Sequence, residues 1–133
     1  MPAININGVV LEAFSFETDT FTRFISGTTD ASAIGKAVAI DATAPGTVKL
    51  AGDGDAVYGR IYTYEDRTQE GVKVVGCERR FIKRLPKSAA AIAIGDHVVG
   101  AGNGLVKTGT PTALMERNFV LYVGSDFVIV EKL

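Results

Sequence analysis

Short apolar runs, most of them closed by a glycine-bearing turn, constrain this chain more than any other feature. KAVAID (Lys36 to Asp41), TVKLA (Thr47 to Ala51), VYGRIYTYE (Val57 to Glu65), GVKVVGC (Gly71 to Cys77), RRFIKRL (Arg79 to Leu85), DHVVGA (Asp96 to Ala101), GLVKTG (Gly104 to Gly109), FVLYVG (Phe119 to Gly124) and DFVIVEKL (Asp126 to Leu133) are rich in β-branched or aromatic residues. Such side chains suit a pleated surface better than a helix. Between them stand Pro45-Gly46, Gly52-Asp53-Gly54-Asp55, Glu70-Gly71, Gly102-Asn103-Gly104 and Gly124-Ser125-Asp126, whose residues favour tight reversals. Strands at this spacing predict an all-β fold of barrel or sandwich type with little helix. SAAAIAI (Ser88 to Ile94) and PTALMERN (Pro111 to Asn118) read as single turns or loops.

An internal repeat organises the pattern. Ala33, Ile34, Gly35 and Val38 match Ala93, Ile94, Gly95 and Val98, and after a shorter loop Gly46, Val48 and Lys49 match Gly104, Val106 and Lys107. Continuing the alignment pairs Tyr62 with Tyr122 and GVKVVGC with FVIVEKL. Two similar halves, about 33–77 and 93–133, therefore build one pseudo-symmetric β-barrel or sandwich over residues 31–133. The segment from Leu85 to Gly109 is the way into the second half and its first hairpin. Residues 1–30 are set apart by Phe14, Phe16, Phe21 and Phe24 among Ser, Thr, Glu and Asp. This stretch is either an extended N-terminal arm that packs on a neighbour or an extra strand of the barrel.

With 133 residues, 47% of them hydrophobic, the chain can bury one core but not two ordinary ones. Its 14 Lys and Arg against 15 Asp and Glu give no global field toward nucleic acid or an anionic membrane, so neither is an expected partner. A single cysteine excludes an internal disulfide and fits a cytosolic origin. MPAININGVV does not resemble a secretory leader, and no run reaches the length of a spanning helix.

Candidate chemistry is sparse. His97, the only histidine, would have to be the base of any Ser-His-Asp or Cys-His arrangement, and it reads instead as a surface or subunit-facing position. Cys77 lies beside Glu78, Arg79 and Arg80, which would activate an exposed thiol; a buried inert one is the plainer expectation. GDGDA (Gly52 to Ala56) resembles part of a calcium loop but lacks its distal glutamate and flanking helices, and reads as a polar hairpin tip. Glu65, Asp66, Arg67 and Glu70 read as solubilising charges around a turn. The strongest local charge is ERRFIKRLPK, with Arg79, Arg80, Lys83, Arg84 and Lys87. Strand alternation splits it over two faces, which suits plain solvated strand charges or contact with an acidic protein surface better than a phosphate backbone. GxGxxG, P-loop, CxxC and nucleophile-elbow patterns are all missing, so no catalytic, cofactor or metal site is expected and the chain does not read as an enzyme.

RFIKRLPKSAAAIAIGDHVVGAGNGLVKTG (Arg80 to Gly109), with AIGKAVAIDA and VKLAGDGDAVYGRI before it and VLYVGSDFVIVEKL at the end, resembles the small capsid decoration, or cement, proteins of tailed bacteriophages. The likeness runs from Ile34 to Leu133 and rests on packing and turn residues; the first thirty or so residues depart from the short starts of that family. It implies a structural virion protein, made in the bacterial host cytoplasm, that binds the capsid exterior, bridges major capsid proteins and in several cases forms a homotrimer. The candidate contact residues are then Phe14, Phe16, Phe21 and Phe24 of the aromatic segment and Arg79, Arg80, Lys83 and Arg84 of the basic one. Two other classes fit a β-rich chain of this size. A biotinyl- or lipoyl-type carrier is also built from two repeats but needs a lysine at a hairpin tip, which Asp53 to Asp55 and Asn103 do not offer. A β-rich hydrolase accessory would have to use His97 and Glu65.

Overall fold

Alternation of β-branched residues with polar ones sets the architecture; the computed structural model describes residues 20–27, 30–67, 69, 71–110 and 117–132. In chain order the strands are β1 (Thr20–Ile25), β2 (Ala37–Ile40), β3 (Thr47–Leu50), β4 (Gly59–Arg67), β5 (Val72–Glu78), β6 (Phe81–Pro86), β7 (Val98–Gly102), β8 (Leu105–Thr108), β9 (Asn118–Val123) and β10 (Phe127–Lys132). The chain is all-β, as its sequence predicts. The one helical element among the described residues is a 3-10 turn, Ala31–Ala33, whose Asp30 carboxylate accepts the Ser32 N–H at 2.8 Å. Ser88 to Ile94 forms no helix; 111–116, from the other helical candidate, lies outside the described residues.

The first half pairs in the order β1-β3-β2-β4-β5, and because β1 also pairs with β5 the ladder returns on itself as a closed barrel. β1 runs parallel to β3 at Phe24 and Ile25 and antiparallel to β5 from Thr20 to Phe24. Thr20 to Ile25 of the aromatic N-terminal stretch is therefore a strand of this ring, while Phe14 and Phe16 lie outside the described residues. The second half forms a sheet in the order β6-β10-β9 and a β7-β8 hairpin.

The same backbone bonds recur in both halves. Gly35 N–H donates to the Ile61 carbonyl and Gly95 N–H to the Val120 carbonyl, each at 2.8 Å. Ile61 and Val120 N–H return bonds to the Lys36 and Asp96 carbonyls, at 3.0 and 2.8 Å. Ser26 N–H reaches Val48, and Ser88 N–H reaches Val106, both at 2.9 Å. These matches make β6 the counterpart of β1, so the structural repeat begins earlier than the sequence likeness at Ala33. They also move one pairing. The ladder slips at Tyr62 in β4 and at Leu121 in β9, each the extra residue of a bulge, so Tyr62 corresponds to Leu121 and not to Tyr122.

Packing follows the repeat. Val38, Val48, Ile61, Val75 and Cys77 form the core of the first half together with Ile25, Ala33 and Tyr58. Their counterparts Val98, Val106, Val120, Val128 and Val130 form the second, joined by Phe81, Leu85 and Ile92 and by Ala37, Ala39, Ala51 and Val57 from the first half. That shared cluster makes the halves one folding unit. Backbone bonds stitch the seam: Ala37 N–H to Gly104 (3.0 Å), Gly104 N–H to Ala51 (3.1 Å), Gly54 N–H to Gly100 (2.9 Å) and Gly100 N–H to Asp55 (2.8 Å). Gly100 is required there, because a Cβ would stand 2.2 Å from the Gly52 carbonyl oxygen. The GDGD stretch is therefore part of the seam and not a free hairpin tip.

Candidate binding surface

β1 and the corner after β5 converge at one end of the first barrel. Ile25 is buried, so Arg23 and Phe21, two and four residues earlier, lie on the same side of the strand toward the barrel's end. The Arg23 guanidinium lies 5.2 Å from the Phe21 ring centroid and 6.0 Å from that of Tyr58, and donates to the Tyr58 hydroxyl at 3.1 and 3.3 Å. Arg79 closes the stack over Tyr58 at 4.2 Å and donates to its carbonyl. One aromatic and one basic candidate, Phe21 and Arg79, thus meet through Tyr58 and Arg23. Both phenylalanines of β1 are exposed, Phe21 at 45% and Phe24, of opposite parity, at 49%; Phe24 lines a groove of about 480 Å³ with Thr47, Val72 and Lys73.

The basic run is mostly engaged within the fold. Arg79 belongs to the bend before β6 and not to the strand, so the strict alternation expected from Arg79 onward starts only at Phe81. Phe81 and Leu85 point into the core. Lys83 Nζ donates to the fully buried Glu78 carboxylate at 2.8 Å, and Arg60 stands 3.7 Å from its other oxygen. Arg84 lies over the Phe127 ring at 4.6 Å. Arg80 is the one of the four that is exposed. Glu78 was not singled out from sequence, although a glutamate within reach of several cations at a strand end was the signal available.

The repeat presents apolar side chains to solvent at matching positions. Ile34 and Ile94 are 48% and 68% exposed, and the bulge residues Tyr62 and Leu121 are 47% and 36% exposed. The bonds from Gly35 to Ile61 and from Gly95 to Val120 set each isoleucine beside its bulge along the backbone. Ile40 is exposed as well. Scattered exposed apolar residues are ordinary; the same two positions exposed in both halves form a pattern. Sequence reading missed it because exposure of a strand residue depends on where the bulge falls.

The remaining candidates are held by structure. His97 precedes β7 and donates from Nδ1 to the Asn118 carbonyl at 2.6 Å, with its ring 5.0 Å from Phe119. Asn118 is buried, and its side-chain amide accepts from Val98 N–H (2.7 Å) and donates to the Val98 carbonyl (3.0 Å), supplying the link between β9 and β7 that backbone makes between β4 and β2. Cys77 is buried at the position Val130 holds in the second half, and burial pushes its thiol up to about 11. In GDGDA, Asp55 accepts from Gly52 N–H and pairs with Lys49 at 3.3 Å, while Asp53 contacts Lys107. Glu65, Asp66 and Arg67 fall within β4 and not around the turn; Glu65 pairs with Arg67 at 3.0 Å. Asp41, in the β2-β3 loop, accepts from the Thr43 hydroxyl and N–H, and the Thr43 hydroxyl, then the Ser26 hydroxyl, then the Thr43 N–H lower its carboxyl to about 2. Among the described residues, His, Cys, Asp and Glu form no group of three or more able to hold a metal ion, and no helix is long and apolar enough to cross a membrane.

No protein-family model matches the chain, and no curated protein matches its sequence.

Proposed function

We propose that this chain is a capsid decoration protein of a tailed bacteriophage, coating the outside of the head as a homotrimer and bridging neighbouring major capsid proteins. The observation that carries this reading is the duplicated exposure of Ile34 with Tyr62 and of Ile94 with Leu121 on a scaffold held by a buried seam. A bridging protein needs more than one apolar contact at fixed separation, and a repeat supplies that without relying on loops. Phe21 and Phe24 on β1 and Ile40 add further exposed apolar side chains, and Arg80 is an exposed cation for acidic groups on the shell.

The mechanism is linkage and not catalysis. A protein that binds only the expanded head stabilises that state by mass action, and many copies add their effects against internal pressure. The protein is made in the host cytoplasm and ends on the virion exterior. Sedimentation with expanded heads assembled without it tests the reading: the protein should pellet with heads to a saturating stoichiometry and run as a trimer by itself. A protein that stays in the supernatant at all ratios is not a decoration protein of those heads.

A further inference from the structure

The seam between the halves runs through a chemically labile dipeptide. Gly102 pairs with Leu105, which leaves Asn103 and Gly104 as the loop of the β7-β8 hairpin, at φ 53° and 78°. Asn103 is the one non-glycine among the described residues with φ in this range. Positive φ at both positions belongs to a type I′ turn, which Asn-Gly adopts readily. Asn-Gly is also the pair whose side-chain amide is most open to attack by the next backbone nitrogen, because glycine has no Cβ to block the approach. The matching tip of the first half has Pro45 before Gly46 and cannot react this way.

The fold keeps the two reacting groups in different surroundings. Asn103 is exposed and Gly104 is buried. Gly104 N–H donates to the Ala51 carbonyl at 3.1 Å, and the Gly104 carbonyl accepts from Ala37 N–H at 3.0 Å, so this glycine is tied into the seam on both sides. A Cβ on Gly104 would stand 2.7 Å from Lys36 Cβ, which leaves the loop little room to swing. A buried, hydrogen-bonded N–H neither loses its proton to hydroxide nor turns toward a side chain. Both steps need the seam to open.

We propose that Asn103 is a deamidation site gated by the seam, and that its isoaspartyl product holds the seam open. In the opened seam the deprotonated Gly104 nitrogen bonds to Asn103 Cγ and ammonia leaves, closing a succinimide ring. Water then adds to one of the two ring carbonyls. Cleavage at one gives aspartate with the backbone unchanged. Cleavage at the other gives isoaspartate, whose main chain runs through Cβ and Cγ and is one atom longer. The added atom shifts Gly104 relative to Ala37 and Ala51, so the two seam bonds no longer form together; the aspartyl product keeps them.

The test ages the full-length protein at mildly alkaline pH, with trypsin digestion at intervals. Residues 88–107 leave as one peptide, which separates Asn103 from Asn7-Gly8, the chain's other Asn-Gly pair, and electron-transfer fragmentation tells aspartate from isoaspartate. The native protein should convert at least about thirtyfold more slowly than the same protein unfolded in guanidinium chloride. Gly100→Ala, which loosens the seam, should convert about fivefold faster than the parent under native conditions, and the parent should speed up in guanidinium chloride below its unfolding transition. In isoaspartyl protein isolated after ageing, amide exchange at Ala37 and Gly104 should be faster by about tenfold or more, while Asn103→Asp should match the parent. Equal conversion in the native and unfolded protein overturns the gating. So does a native rate indifferent to both Gly100→Ala and low denaturant. Parent-like exchange at Ala37 and Gly104 in the isoaspartyl protein overturns the claim that this product holds the seam open.

Discussion

Cys77 and Val130 hold equivalent core positions, and that equivalence turns a reactive-looking residue into a packing one. Cys77→Val adds about one methylene to a fully buried site whose counterpart already holds valine, and should retain the fold at a cost of about 1–3 kcal/mol. In the parent, the buried thiol at about 11 should react with a disulfide reagent only through unfolding, which the reagent rate against denaturant measures. Glu78 is the opposite case: a fully buried carboxylate that tolerates burial because Lys83 and Arg60 face it. Lys83→Ala leaves it with the more distant arginine and should lower the unfolding free energy by about 3 kcal/mol in urea titrations. Asp41 is held in its ionised form by Thr43 first and Ser26 second, so its folded pKa of about 2 lies below the unfolded value near 3.8. Its contribution is complete above about pH 4 and is lost as pH falls through about 2, where carboxyl carbon shifts should place the midpoint; Thr43→Ala should return that midpoint toward the ordinary range.

Strands were legible because this chain writes them locally. Runs of Val, Ile and Tyr ended by glycine place β2 through β10 within a few residues of where they lie, and the Ala-Ile-Gly motif marks the repeat in both halves. β1 was harder, since Thr20 to Ile25 alternates phenylalanine with polar residues that suit an arm as well as a strand; its place is decided by β5, more than fifty residues away. The bulges at Tyr62 and Leu121 left no local signal, and with them went the paired exposure that now defines the candidate surface. The basic run misled for a related reason, because charges that look solvated in sequence are taken up by Glu78, Tyr58 and Phe127 from other elements. Gly100 is the element-scale test of the seam. Gly100→Ala drives a methyl group against the Gly52 carbonyl and should cost about 1–3 kcal/mol while increasing amide exchange at Gly54 and Gly100 first.

At the scale of the whole molecule, a repeat that cannot separate into independent halves fixes the distance between two like contact points. The shared core and the seam hold Ile34 with Tyr62 in register with Ile94 and Leu121. If that spacing is what a capsid reads, the four side chains should matter to coating and not to folding, since all four face solvent. The direct test is sedimentation of expanded heads with the parent protein and with a variant carrying Ile34→Ser, Tyr62→Ser, Ile94→Ser and Leu121→Ser. The account predicts saturable coating by the parent and binding weaker by about a hundredfold or more for the variant, at unchanged circular dichroism. Equal coating by both proteins, or none by either, would contradict it.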